Sequence, residues 1–121
     1  RLKLYRADDY LIAVTEVGSF EASVARAMTN LGADLALVAA DNGKQMRLSG
    51  RSTEHFFKSS GLNLAKDVMQ PLANSLSGQG GGHPTAASAN AKCDAEDMIS
   101  AALGLISKKL GAKPNEINTK K

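Results

Sequence analysis

The 121 residues suffice for one compact domain and leave little room for a second core. With 43% hydrophobic residues, 4% aromatics and no tryptophan, that core must be built from Ala, Leu, Val, Ile and Met. The formal charge of +3 suits an anionic ligand, while a single cysteine, Cys93, excludes an internal disulfide framework, and no apolar run approaches the ~20 residues of a membrane span.

Arg1 to Tyr10 is polar and charged and is expected to be a linker or the approach to a first strand. Leu11 to Val17 is a nearly continuous apolar run, the pattern of a strand buried on both faces. Gly18-Ser19 breaks it, with Ser19 as the expected N-cap of a helix. Its apolar stripe would be Phe20, Val24, Ala27, Met28 and Leu31, stopped by Gly32. Leu35 to Ala40 predicts a second buried strand, and Asp41-Asn42-Gly43 a tight turn, because Asn and Gly tolerate positive φ. Lys44 to Arg51 alternates. Met46 and Leu48 face one way; Gln45, Arg47, Ser49 and Arg51 face the other.

Ser52 to Ser60 reads as a polar loop. A helix is expected after Asn63, marked by Leu62, Ala65, Val68, Met69, Leu72 and Leu76, and kinked or restarted by Pro71, which lacks an amide donor. Gly78 to His83 reads as a glycine-rich loop and Pro84 to Ala91 as a strand. Asp94 is expected to cap a last helix, with Asp97 three positions on and an inward stripe of Met98, Ala102, Ile106 and Leu110; Gly111 and Pro114 end it. Asn115 to Lys121 is expected to be a disordered tail. The predicted fold is α/β: one domain with a mixed sheet of about four to five strands flanked by three helices. Its boundaries are a linker at 1–10, the folded domain at 11–112 and a tail at 113–121.

Chemistry narrows the choices further. Bare glycine backbone lets amides converge on a phosphate, and Gly80-Gly81-Gly82 meets that steric requirement. No Lys-Ser or Lys-Thr follows, and the dinucleotide spacing of glycines is absent, so neither familiar phosphate loop is present. His83 follows directly and can donate to a phosphate oxygen or a base edge. Arg47 and Arg51 offer planar forks of donors beside Ser49, although a charged strand face is as readily a solvated one. The two histidines, His55 and His83, have no acidic cluster at ligand spacing, and Cys93 has no nearby histidine. No metal site and no catalytic residues are therefore expected in this chain, which is not predicted to be an enzyme by itself.

The stretch Gly80-Gly81-Gly82-His83-Pro84-Thr85-Ala86-Ala87 resembles the GGGH-x-x-AA signature of the DHH-associated (DHHA) domain. Leu48-Ser49-Gly50-Arg51-Ser52 resembles that family's serine-x-arginine strand, and Gly61 to Ala65 the start of its intervening helix. Leu11 to Glu21 looks like the archaeal and RecJ-like members. The matches run in order from Leu11 to Ala91. Ser88 departs from the family's commoner AAGA ending.

That resemblance implies a substrate-binding partner to an N-terminal DHH domain, whose Asp and His residues hold manganese. It implies a parent phosphoesterase, such as a RecJ-like exonuclease or oligoribonuclease, acting on short single-stranded nucleic acid or nucleotides. It also implies that Arg51 clasps a phosphate, that His83 contacts the nucleotide or scissile phosphate, and that Gly80, Gly81 and Gly82 allow close backbone approach. Thr85 belongs to the same motif, and strand alternation adds Arg47 and Ser49. The expected setting is a cytoplasmic protein without membrane contact, and the start at Arg1 suggests a domain of a longer polypeptide. Two alternatives stay open: a tRNA-binding module related to the C-terminal domain of alanyl-tRNA synthetase, and a structural or dimerisation module.

Overall fold

The computed structural model describes residues 1–117. Seven strands form one sheet: β1 (Lys3–Ala7), β2 (Tyr10–Val17), β3 (Leu35–Asp41), β4 (Met46–Ser52), β5 (Gln79–His83), β6 (Ala86–Ala91) and β7 (Asn115–Glu116). Their spatial order is β5-β6-β4-β3-β2-β1-β7. Only β2 and β3 run parallel among these pairs, joined by the crossover helix α1 (Glu21–Asn30). The remaining helices are α2 (Glu54–Ser60), a π-helical segment (Leu64–Met69) running directly into α3 (Gln70–Ser75), and α4 (Ala95–Leu110).

The class is the α/β sheet expected from the sequence, with higher counts of strands and helices. Three pieces account for the extra strands, one of them the glycine-rich stretch Gln79–His83. The expected linker holds β1, which pairs Lys3 with Val14 and turns at Asp8, a residue with φ of 53°. In the expected tail, Asn115–Glu116 pairs with β1 and the Ile117 amide donates to the Leu4 carbonyl at 2.8 Å. The rest of that tail lies outside the described residues.

One sheet face carries the main core. Ile12, Val14, Leu35, Leu37, Leu48 and Ala89 pack there against Leu64, Val68, Met69, Leu72, Met98, Ala102 and Ile106, all essentially inaccessible. The α4 stripe is the predicted one, and its cap is too: Asp94 Oδ1 accepts from the Asp97 amide at 2.8 Å, and Gly111 ends the helix at φ 69°. Asn63 caps the π segment by accepting from Lys66. Pro71 sits in the first turn of α3, where the π segment passes into it without leaving helical conformation, so the winding changes from π to α at the proline.

The region from Ser52 to Ser60 is not a loop. Thr53 Oγ1 accepts from the Phe56 amide at 3.0 Å and caps α2, and Phe56 is wholly buried, edge-on to Tyr10 with ring centroids 4.7 Å apart. The opposite sheet face is covered by α1 alone, through Ala25, Val24 and Met28 over Ala36 and Val38. The expected cap Ser19 is displaced by Phe20, which adopts a left-handed conformation (φ 60°) and makes no side-chain cap bond. Phe20 and Leu31 are 77% and 88% exposed, so the buried stripe of α1 is narrower than its apolar periodicity suggested. Because α1 lies over β3 and β4, it leaves β6 and β5 as an open shelf beside it.

Candidate functional site

The glycine-rich stretch is an edge strand rather than a loop. Gln79–His83 forms β5, paired antiparallel with β6. Its glycines are not equivalent. A Cβ at Gly80 would stand 2.5 Å from the Met69 carbonyl oxygen, so this residue packs against the π segment. Gly82 has φ +139°, and a Cβ there would meet the Ala86 oxygen at 2.7 Å. Gly81 alone opens onto space, with nothing within 4 Å of its Cβ position.

The registers of β3, β4, β6 and β5 build the site as a grid, because paired residues in antiparallel strands share a face. Arg51 pairs with Ala86, which pairs with His83. The next row on the same face is Ser49, Ser88 and Gly81, and the row after it Arg47, Asn90 and Gln79. Arg51 and His83 thus flank Ala86 in a single row, and two rows further along stands Arg47. Between this grid and α1 lies a hollow of about 210 Å³, lined by Arg47, Ser49, Arg51, Gly81, Gly82 and Ser88, with Ala22 and Ala25 of α1 as its wall. His83 is exposed on the edge strand just outside the lining, one place beyond Ala86.

Five of the eight predicted residues therefore line one hollow, and His83 borders it. Gly80 faces the helix layer instead. Thr85 lies in the β5–β6 turn, where its carbonyl accepts from the Ser52 amide at 3.0 Å; the neighbouring Pro84 carbonyl accepts from Leu64 at 2.9 Å. These bonds tie the turn to the end of β4 and to the start of the π segment, fixing the shelf relative to Arg51.

The charges in the hollow are unequal. Arg47 Nε pairs with Glu21 Oε1 at 3.3 Å, and its Nη2 donates to Ser88 Oγ at 3.2 Å. Among the described residues, Arg51 has no carboxylate within 4.0 Å. Ser49 is 4% exposed, and its hydroxyl has no hydrogen-bond partner although it lines the hollow. A buried hydroxyl without a partner costs roughly 1–3 kcal/mol, which a ligand's polar atom would recover. The first-turn amides of α1, beside Ala22, also lack a side-chain cap. An uncompensated guanidinium, an orphan hydroxyl and bare glycine backbone on one face suit an oxyanion.

Glu21 carries no distinguishing signal in the sequence, since an acid in a first helical turn ordinarily complements the helix dipole. Ser88 enters the sequence pattern only as a departure from the family's ending; its hydroxyl supports Arg47. A second hollow, about 350 Å³, lies on the other sheet face between β1, β2 and α4, lined in part by Lys3, Tyr5, Glu96, Ile99 and Leu103. It is larger and carries the cations Arg1 and Lys3, but the carboxylates of Glu16 and Glu96 line it too and no glycine backbone does. Among the described residues no three His, Cys, Asp or Glu side chains gather to hold a metal. No described helix is long and apolar enough to cross a membrane. Burial raises the Cys93 thiol pKa, and the nearby charges of Asp94 and Asp97 add to it, opposite to what a nucleophile needs.

Comparison with known proteins adds three kinds of likeness. An uncharacterized protein of Methanocaldococcus jannaschii is 35% identical over 96 residues, covering 78% of this chain and 28% of that protein. The chain thus spans little more than a quarter of that relative's length. The C-Ala domain of Aquifex aeolicus alanyl-tRNA synthetase shares the fold at TM-score 0.66 and 21% identity, covering 88% of this chain and 96% of that one. The DHH domain of a member of a ribosomal protein family aligns at TM-score 0.56 and 13% identity, over 90% of this chain and 28% of that one. A pGpG-specific phosphodiesterase of Vibrio cholerae aligns at TM-score 0.50 and 13% identity, over 83% and 33%. The DHHA1 domain model matches residues 10–111, spanning both the Arg51 strand and the glycine strand, and the chain belongs to the DHHA1 family.

Proposed function

We propose that this domain binds the phosphate of a nucleotide or short single-stranded nucleic acid and presents it to a manganese-dependent DHH catalytic domain of the same cytoplasmic polypeptide, a RecJ-like phosphoesterase. The observation that carries this reading is the row Arg51–Ala86–His83 beside the orphan hydroxyl of Ser49. Arg51 supplies a free cation, Ser49 a donor already desolvated, and Gly81 an unobstructed floor. In this reading His83, at the rim, contacts the nucleotide or the scissile phosphate. The chain holds and orients; bond cleavage belongs to the partner domain. Two of the structural relatives are DHH-family or phosphodiesterase proteins, which supports the assignment of partner and substrate class.

The test is a titration of the chain with a short single-stranded oligonucleotide and with a mononucleotide, followed by amide NMR shifts. Arg51, Gly81 and Ser88 should move first. Shifts confined to the α4 face would remove the assignment. The alanyl-tRNA synthetase likeness, which covers nearly all of the C-Ala domain, favours a second reading as a tRNA-binding module. Tighter binding of folded tRNA than of a single-stranded oligonucleotide of equal phosphate content would select it.

A further inference from the structure

The far end of the hollow is built differently from the Arg51 end. Arg47 is engaged on two sides, by Glu21 at Nε and by Ser88 at Nη2, so it is no free phosphate clamp. It holds the Glu21 carboxylate, whose side chain is only 19% exposed, beside the α1 wall. Among the described residues only Oε1 of Glu21 is paired, leaving Oε2 to accept a hydrogen bond. Glu21 does not line the hollow itself; it stands at the rim, next to the lining residue Ala22 and paired with the lining residue Arg47, where a second phosphate would meet a carboxylate and a neutral hydroxyl would be received by it.

Size sharpens the choice. About 210 Å³ is below the ~300–1,000 Å³ of sites that enclose a drug-sized ligand. The hollow fits a phosphate and its sugar, with the base projecting outward. Arg47 and Arg51 are four residues apart on one strand, about 13 Å between Cα atoms, and both side chains reach inward over a floor of Ser49, Ser88 and Gly81. That span suits one sugar-phosphate unit.

We propose that Glu21, fixed by Arg47, is a specificity-determining residue that accepts a hydrogen bond from the ribose 2′-hydroxyl of a ligand whose phosphate lies on Arg51. The site then prefers ribonucleotides to deoxyribonucleotides, admits one phosphate and ignores the base. This inference rests on the phosphate reading of Arg51. A site built to hydrogen-bond a hydroxyl discriminates strongly against the analogue that lacks it, because its own polar group is left unpaired.

The experiment titrates the isotopically labelled chain with AMP, dAMP, CMP and ribose 5-phosphate, reading the amides of Arg51, Gly81 and Ser88. AMP, CMP and ribose 5-phosphate should bind within about threefold of one another, and dAMP roughly tenfold more weakly, as expected for a lost bond to a charged group. Glu21→Ala should bring AMP and dAMP together, and Glu21→Gln, which keeps the side-chain shape, should shrink the difference. Arg51→Ala should weaken all four ligands and preserve the AMP to dAMP ratio. Equal binding of AMP and dAMP by the unaltered chain, or a ratio that survives Glu21→Ala, overturns the role of Glu21 alone. If none of the four ligands moves these amides, the phosphate reading falls and the Glu21 proposal falls with it.

Discussion

Arg51 and His83 stand on either side of Ala86 in one cross-strand row, 32 residues apart in sequence and two strands apart in space. Nothing charged among the described residues compensates Arg51, so its replacement removes a cation and breaks no ion pair. Arg51→Ala should weaken binding of a short oligonucleotide by roughly 1–3 kcal/mol. It should also lower the slope of log affinity against log salt by about one. Titrations at two salt concentrations measure both, with circular dichroism confirming that the sheet is intact. An unchanged affinity and slope would remove Arg51 from the site.

Ser49 makes an opposite pair of predictions. Its hydroxyl is buried and unpartnered in the free chain, so Ser49→Ala deletes an unsatisfied group and should leave stability unchanged or raise it by about 1 kcal/mol. If that hydroxyl serves a ligand, the same substitution should weaken nucleotide binding. Thermal melts and a titration of one variant test both halves. Loss of stability with unaltered binding would make Ser49 a structural residue only.

The three glycines separate in the same way. Gly80→Ala drives a methyl to 2.5 Å from a backbone oxygen and should cost about 1–3 kcal/mol of stability. Gly82→Ala places a side chain at φ +139° and should cost a similar amount through backbone strain. Gly81→Ala meets nothing, should leave stability within about 0.5 kcal/mol, and should lower affinity because its methyl narrows the hollow. Denaturant melts of the three variants, set beside their nucleotide titrations, resolve the two roles.

These contrasts mark where the sequence was legible. The alternation of Met46, Leu48 and Ser49, Arg51 survives intact in β4, since a strand with one apolar face writes its period directly into the chain. Cap chemistry did the same for Asp94 and Gly111. Glycine has no side chain to alternate, so β5 carried no period and read as a loop. The helix α2 hid behind polar residues with one wholly buried anchor, Phe56, although Thr53 three places earlier was the available signal. Phe20 and Leu31 fell at helical spacing yet face solvent, because α1 covers only the narrow Ala36–Val38 strip. The site itself depended on register. Which residue of β4 opposes which residue of β6 is set by strand pairing, which no count along the chain supplies, and Glu21 entered only when the α1 crossover carried it over Arg47.

Cys93 provides a test through pH. Burial raises its thiol pKa above the ordinary value of 9.0, and the carboxylates of Asp94 and Asp97 raise it further. A thiol whose folded pKa lies above its unfolded one favours the folded state below the unfolded pKa. That contribution is lost as pH rises through the folded pKa, so stability should fall above about pH 9. Thiolate is the reactive form, so alkylation of the folded chain at about pH 8–9 should run slower than that of the chain unfolded in denaturant. Asp97→Asn removes one nearby charge and leaves the Asp94 cap in place, and should speed the reaction. A folded rate equal to the unfolded one, unmoved by Asp97→Asn, would show that neither burial nor these two carboxylates govern the thiol.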